Sequence, residues 1–390
     1  MRIVIAPDSF KESLSAVAVA QALAAGVHDV IPTADIVCVP MADGGEGSLD
    51  VVLAATSGER RTARVMNANG DYVDADWGWL GQGSAFIEMA AAAGLEQIPV
   101  QQRQPLTATT YGVGQLVSHA LDAGARRIML ALGGSATTDG GAGLLQALGV
   151  QLFDKQGKVL SHGGAALQHL DSLSLDALDP RLAQVEFQIA IDVDNILCGV
   201  SGAAAIFGPQ KGASPHDVAV LDAGLHRFAD VCARYVHKDE RNVPGMGAAG
   251  GLGFAIRSFF KANILTGVDL VAGLCGLDQA LQGAHLVLTG EGRMDAQTML
   301  GKTPVGVARC AGRYGIPVVA IVGSLGDGYQ AVYSAGITAA FSLVPGPMSL
   351  DQAVATAPLL LRQRAADCLR LWLAGRQGLG GLVQRSLKKL

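Results

Sequence analysis

Short apolar runs alternate with helix-length amphipathic segments at both ends of this 390-residue chain. Residues 3–6 are apolar, 13–25 have helical periodicity behind Ser13 or Ser15 as caps, 36–39 form the next apolar run and 47–55 the next helix. From residue 285 the alternation returns, with apolar runs at 285–289, 318–322 and 340–344 separated by helices of about a dozen residues. Buried strands alternating with helices imply parallel βαβ units. Two strands at one end and three at the other complete a five-stranded, doubly wound sheet, which makes the middle of the chain an insertion. That middle has a different texture. Residues 65–79 and 84–88 have strand character with turn signals, as in an antiparallel or mixed sheet, and long helices follow at 112–123 and 141–148. The expected organisation is a discontinuous α/β domain from 1–64 and 281–375, an inserted α/β domain at 65–280, and a frayed C-terminal tail at 376–390.

Composition supports a globular protein and narrows its partners. Half the residues are hydrophobic and 16% are charged, and the 51 glycines are dispersed without a period. A net charge of −5 argues against a nucleic-acid or anionic-membrane partner. No apolar run reaches the ~18 residues that a membrane span needs. The chain opens directly on a strand without a basic-then-apolar leader, so the expected location is the cytoplasm. The six cysteines show no CxxC and no close pairing, which reads as buried reduced thiols rather than disulfides or a zinc site. The eight histidines are scattered without HxxxH or HxH, and His119, His226 and His285, in helical or strand-edge contexts, read as surface or satisfied residues.

The chemistry gathers in glycine-rich loops that follow strand-like runs and mix glycine with carboxylates, hydroxyls and cations. Glycine lets backbone amides approach a ligand, while carboxylates hold a divalent metal or take a proton. At the end of the first strand, Ala6-Pro-Asp-Ser-Phe-Lys-Glu-Ser13 offers Asp8, Ser9 and Lys11, where open α/β sheets place ligands. Asp43 and Glu46 share Asp43-Gly-Gly-Glu-Gly47 and together suit a metal or a hydroxyl-bearing substrate. Gly133-Gly-Ser-Ala-Thr-Thr-Asp-Gly-Gly-Ala-Gly143 lacks the ending of a Walker A loop. The amides of Gly133 and Gly134 and the hydroxyls of Ser135, Thr137 and Thr138 still suit phosphate oxygens, with Asp139 as a turn cap. Asp192 and Asp194 leave a strand at i and i+2, pointing the same way, for metal binding or for deprotonating a hydroxyl. Lys211 sits in a further glycine loop, and Thr289-Gly-Glu-Gly-Arg-Met-Asp295 combines Glu291, Arg293 and Asp295 ahead of Lys302. No GxSxG elbow exists, and no GxGxxG follows the first strand, which weakens hydrolase and dinucleotide readings.

Taken together, five segments resemble the type-1 glycerate kinases in order and spacing from residue 1 to about 375. They are Ala6-Pro-Asp-Ser-Phe-Lys-Glu-Ser-Leu-Ser15, Ala42-Asp-Gly-Gly-Glu-Gly47, the 133–143 loop, Phe207-Gly-Pro-Gln-Lys-Gly-Ala213 and Thr289-Gly-Glu-Gly-Arg-Met-Asp-Ala-Gln-Thr298. The resemblance implies a flavodoxin- or Rossmann-like doubly wound parallel-sheet domain interrupted by a second α/β domain, with a site in the cleft between them. It also implies ATP-dependent, Mg²⁺-assisted phosphorylation of D-glycerate, leaning toward 2-phosphoglycerate. Thr138 stands where many members have Asn, and Ile196 replaces a proline common after the Asp-Val-x-Asn element. Neither change removes a charge.

On this reading Lys11 and Arg293 hold the substrate carboxylate and the transferring phosphoryl group, with Asp8, Ser9 and Asp43 also at the substrate. Asp192 is the expected base, and Asp43, Glu46 and Asp295 the expected Mg²⁺ ligands. Gly133, Gly134, Ser135, Thr137 and Lys211 are expected at the nucleotide phosphates. Two rival functions stay open: a kinase for another small hydroxy acid, and a non-catalytic sugar-acid sensor on the same fold.

Overall fold

The computed structural model describes residues 1–387. The chain divides into two compact units, Met1–Asp43 with the chain from Val271 onward, and Gly44–Leu270. The first unit is built on a five-stranded parallel sheet. Its strand order is Ala339–Ser342, Val318–Val322, Leu286–Thr289, Arg2–Ile5 and Asp35–Cys38. Renumbered along the chain this is 2-1-3-4-5, a doubly wound order of the flavodoxin type. The central strands are apolar along their length because helices cover both faces; every residue of Leu286–Thr289 and Val318–Val322 is buried. Helix Ala16–His28, capped by the Ser15 hydroxyl on Ala18 N at 3.2 Å, packs Val19, Leu23 and Val27 into one core with Ile3, Ile5, Leu288 and Ile321. Leu361 and Leu369 of the C-terminal helix join the same core. Each such fully buried aliphatic side chain contributes about 1.5–3 kcal/mol.

The second unit carries a six-stranded mixed sheet in the order Lys261–Leu265, Glu186–Ala190, Arg127–Ala131, Ser84–Glu88, Tyr72–Gly81 and Glu59–Met66. The first four strands run parallel, and the last two pair antiparallel as a hairpin edge. The hairpin alternates exposed and buried positions, whereas Arg127–Ala131 is buried after its first residue, as a strand covered on both faces must be. Helix Pro215–Val236 starts with a Ser214/Asp217 capping box and Pro215 at its first position. Its Phe228 meets Phe254 edge-on, with ring centroids 5.9 Å apart.

Three expectations about individual elements change. The helix expected at 141–148 is short, Ala142–Ala147. It stops because Gly149 turns left-handed where a Cβ would lie 1.9 Å from the Ala177 carbonyl oxygen. Between Val318–Val322 and Ala339–Ser342 there is no dozen-residue helix but the 3₁₀ segment Tyr329–Ala335. Residues there are first drawn into a short parallel pairing of Ser324–Leu325 with Arg293–Met294. The C-terminal helix spans Leu350–Leu387, so most of the expected frayed tail continues it, and 388–390 lie outside the described residues. Among the described residues no helix is long and apolar enough to cross a membrane.

Candidate active site

In the five-stranded sheet the chain leaves Arg2–Ile5 toward Asp35–Cys38 on one side and meets Leu286–Thr289 on the other. Such a reversal opens a crevice at the carboxyl ends of the strands. The loops after these three strands converge there. Asp8 N donates to Gly290 O at 2.8 Å, and the Asp8 carboxylate accepts from Ser9 N at 2.6 Å and from the Thr303 hydroxyl. Burial, and then the charge of Asp43, pushes the Asp8 carboxyl up to about 6. Glu291 is buried, accepts from Thr298 Oγ1 at 2.7 Å and lies 3.6 Å from Lys302 Nζ. Its burial outweighs those partners and pushes it up to about 7, with Asp8 and Asp295 adding to the rise. Asp295 accepts from Gln297 N at 2.9 Å as a helix cap and lies 3.2 Å from Arg293 Nε. The Arg293 side chain is 68% exposed, Lys11 is exposed and Ser9 is half-buried. The first unit thus gathers acids that repel one another in a partly dry crevice, a setting that favours a cation or a proton.

The second unit presents a different device. Its 133–143 loop leaves the carboxyl end of Arg127–Ala131, beside the segment that leaves Glu186–Ala190. Asp139 is fully buried and is consumed by structure. It accepts from Thr110 N at 2.8 Å, Thr110 Oγ1 at 2.9 Å, Gly141 N at 2.9 Å and Gly143 N at 3.2 Å. That set of donors holds the glycine turn in shape, so Asp139 acts here as the cap of the turn. Lys211, 2% exposed, donates from Nζ to Ser135 Oγ at 2.8 Å and to Thr137 O at 2.6 Å. Burial pulls its ammonium down to about 7, against the opposing charge of Asp139. The hydroxyls of Thr137 and Thr138 are buried without a hydrogen-bond partner. A buried hydroxyl left unpaired costs about 1–3 kcal/mol, so the loop holds unused hydrogen-bonding capacity around a buried cation.

A stretch that the sequence reading passed over braces this loop. Ala249, Gly250 and Gly251 are all left-handed, and Gly140 N donates to Gly250 O at 2.9 Å. A Cβ at Gly250 would lie 2.0 Å from Thr137 O, so only glycine lets the two backbones meet. Gly133 and Gly134 are exposed on the outer side of the loop. In the neighbouring segment Asp192 and Asp194 are exposed, and Asp192 Oδ1 accepts from Gly267 N at 2.9 Å. Both ends of the Asn195 amide are buried without a partner. Glu46 is exposed in the turn before helix Ser48–Thr56, whose amide end is satisfied by Glu88 accepting from Leu49 N at 2.9 Å.

The candidates therefore fall into two groups. Asp8, Ser9, Lys11, Asp43, Arg293 and Asp295 belong to the first unit, and Glu46, Gly133, Gly134, Ser135, Thr137, Asp192 and Lys211 to the second. Glu291 and Lys302, noticed in the sequence but given no role, lie in the acidic crevice, and Thr303 joins them through Asp8. The proximity of Thr303 to Asp8 spans 295 positions and left no local signal.

Comparison with known proteins gives this arrangement a lineage. Residues 3–373 match the model of the glycerate kinase family. A glycerate kinase of Halalkalibacterium halodurans is 48% identical over 366 residues, covering 94% of this chain and 96% of the relative. A glycerate 2-kinase of Escherichia coli is 47% identical over 354 residues, covering 90% and 93%. The crystal structure of a protein assigned as glycerate kinase 2 from Salmonella typhimurium LT2 superposes with a TM-score of 0.87 at 45% identity, covering 97% of this chain and 99% of that one. The chain belongs to the glycerate kinase family.

Proposed function

We propose that this protein transfers the γ-phosphoryl group of ATP to D-glycerate, giving 2-phosphoglycerate. The observation that carries the reading is family membership over residues 3–373, joined by loops of matching chemistry in each unit. The E. coli relative named glycerate 2-kinase supports the 2-position. Phosphoryl transfer asks a protein mainly for positioning and for neutralising charge. In the second unit, Lys211 and the Ser135 and Thr137 hydroxyls, with the amides of Gly133 and Gly134, take the nucleotide phosphates. A phosphate gives the unpaired hydroxyls a partner and stabilises the ammonium that burial disfavours. Asp192, exposed at the end of its strand and oriented by Gly267 N, accepts the proton of the attacking hydroxyl.

In the first unit, Lys11 and Arg293 provide the cations for the substrate carboxylate and the transferring phosphoryl, with Asp8 and Ser9 placed to orient hydroxyls. The donor set of this unit fits Mg²⁺, because Asp43, Asp295 and the half-buried Asp8 offer hard oxygens whose mutual repulsion a divalent cation relieves. Mg²⁺ bound there supplies charge neutralisation for phosphate oxygens. Glu46 is the ligand candidate carried by the second unit and is tested separately.

The test is a coupled ADP-release assay with ATP, Mg²⁺ and D-glycerate, followed by phosphorus NMR of the product. Turnover with a 2-phosphoglycerate signal is the expected result, and a 3-phosphoglycerate signal reverses the choice of hydroxyl. Turnover only with a different hydroxy acid moves the substrate. No turnover with any acceptor, despite nucleotide binding, favours the sensor reading.

A further inference from the structure

Away from the loops assigned above, three metal-ligating side chains of different kinds converge at the edge of the second unit. Asp222 and His226 sit one turn apart on helix Pro215–Val236, and Cys198 comes from the turn that follows the 192–195 segment. Their ligand atoms all lie within 4.8 Å of one another, and Asp222 Oδ2 is 3.6 Å from His226 Nε2. Gly199 N donates to Asp222 Oδ1 at 2.8 Å, which orients the carboxylate and turns its other oxygen toward the histidine. Cys198 is 4% exposed, while the His226 side chain is 49% exposed and opens the group to solvent.

Thiolate, imidazole and carboxylate together form a ligand mix suited to Zn²⁺, with bonds of about 2.0–2.3 Å and hence ligand atoms about 3.3–3.7 Å apart in a tetrahedron. The Asp222–His226 edge already has that length. The two edges to Cys198 are no longer than 4.8 Å, so each needs a closure of at most roughly 1–1.5 Å. Rotation of the Cys198 side chain about its Cα–Cβ bond and rotation of the half-exposed imidazole share that closure. Of the nearby carboxylates, Asp230 and Asp239 are ion-paired with Arg241, and Asp222 supplies the negative charge at the group itself. The cysteine and histidine spacings in the sequence carry no zinc signature because the ligands come from separate elements.

We propose that Cys198, Asp222 and His226 form a site for a divalent transition metal of the Zn²⁺ class, with water as the fourth ligand. Binding breaks the Cys198 S–H bond and forms a sulfur–metal bond, the proton leaves to solvent, and no oxidation state changes. An occupied site fastens the turn at 196–199 to helix Pro215–Val236. That turn directly follows Asp192 and Asn195, so the metal stiffens the connection on which they sit.

The experiment titrates the full-length protein with Zn²⁺ against a chromophoric chelator in saturating Mg²⁺, which occupies hard-oxygen sites. It then repeats the titration with Co²⁺, whose thiolate complexes absorb in the near ultraviolet. One equivalent of Zn²⁺ binding tighter than about 10 μM, a sulfur-to-cobalt band and release of one proton are expected. Outer-shell changes alone cost about 10–100-fold in metal affinity, so His226→Ala, losing a direct ligand, is expected to weaken binding at least about tenfold. Cys198→Ser is expected to abolish the cobalt band; should it fail to fold, the half-exposed His226→Ala carries the test alone. Binding weaker than about 10 μM, or affinity unchanged in His226→Ala, overturns the proposal.

Discussion

The two loop systems solve opposite electrostatic problems. In the first unit, acids crowd a partly dry crevice, and Asp8 and Glu291 rise to about 6 and about 7 as burial, and then mutual repulsion, disfavours their charges. In the second unit the one acid of the glycine loop, Asp139, is satisfied by four donors, and the strained partner is a cation, Lys211, drawn down to about 7. One region is arranged to receive positive charge and the other to receive negative charge. Under the proposed function, Mg²⁺ would meet the first need and nucleotide phosphate the second.

The comparison breaks first at the base. Asp192→Asn keeps an oxygen for Gly267 N but loses basicity, so kcat is expected to fall by about 10²–10⁴-fold with ADP affinity unchanged. Steady-state kinetics beside a nucleotide titration check both halves. Near-normal turnover would remove Asp192 from the chemistry.

Next comes the buried cation. Lys211→Met keeps the aliphatic stem and removes the charge, which forfeits charge-assisted bonds worth about 1.5–3 kcal/mol, or roughly 10–150-fold in ADP affinity. Thermal stability at pH 7 is expected to hold, because the methionine also removes the desolvation that lowers the lysine. A large loss of melting temperature together with intact affinity would make Lys211 a structural residue only.

A smaller effect probes the brace. Gly250→Ala puts a Cβ against Thr137 O at a left-handed position, for an expected destabilisation of about 1–3 kcal/mol in denaturant unfolding. Nucleotide affinity is expected to drop with it, and an unchanged affinity would uncouple the brace from the loop.

The pH dependence of stability sharpens the acidic half. Asp8 and Glu291 have folded pKa values raised above their ordinary 3.8 and 4.5. The folded state therefore holds more protons than the unfolded one between those values and about 6–7. Their contribution is fully present below pH 3.8 and is lost as pH rises through the folded values. In Mg²⁺-free buffer this component of stability is expected to decline between about pH 4 and 7, and Mg²⁺ is expected to reduce the decline and to release protons on binding. Thermal melts with and without Mg²⁺ in wild type and Asp8→Asn read it, and a Mg²⁺ effect that persists undiminished in Asp8→Asn would move the cation away from this crevice. Glu46→Gln, read as the Mg²⁺ concentration giving half-maximal activity, tests the remaining ligand candidate.

What could be read in the sequence divides along physical lines. Strands Ser84–Glu88 and Val318–Val322 match the expected runs residue for residue, because buried strands leave short apolar blocks between turn residues. The loops stand out in the sequence because they set glycine beside acid and hydroxyl after apolar runs. Partners distant in sequence were not visible. Lys211 reaches Ser135 across 76 positions, Asp139 reaches Thr110 across 29, and Glu88 serves a helix end 39 residues earlier. The left-handed run at 249–251 was missed for another reason: a glycine pair has no φ until the backbone it faces is known.

The most direct test of the division of labour is a calorimetric titration of ADP without Mg²⁺ into wild type, Lys211→Met and Asp8→Asn. The expected result is wild-type-like affinity in Asp8→Asn and a loss of at least about tenfold in Lys211→Met, with Mg²⁺ improving binding in wild type more than in Asp8→Asn. Full affinity in Lys211→Met with a loss confined to Asp8→Asn would contradict the account and put the nucleotide phosphates on the first unit's loops.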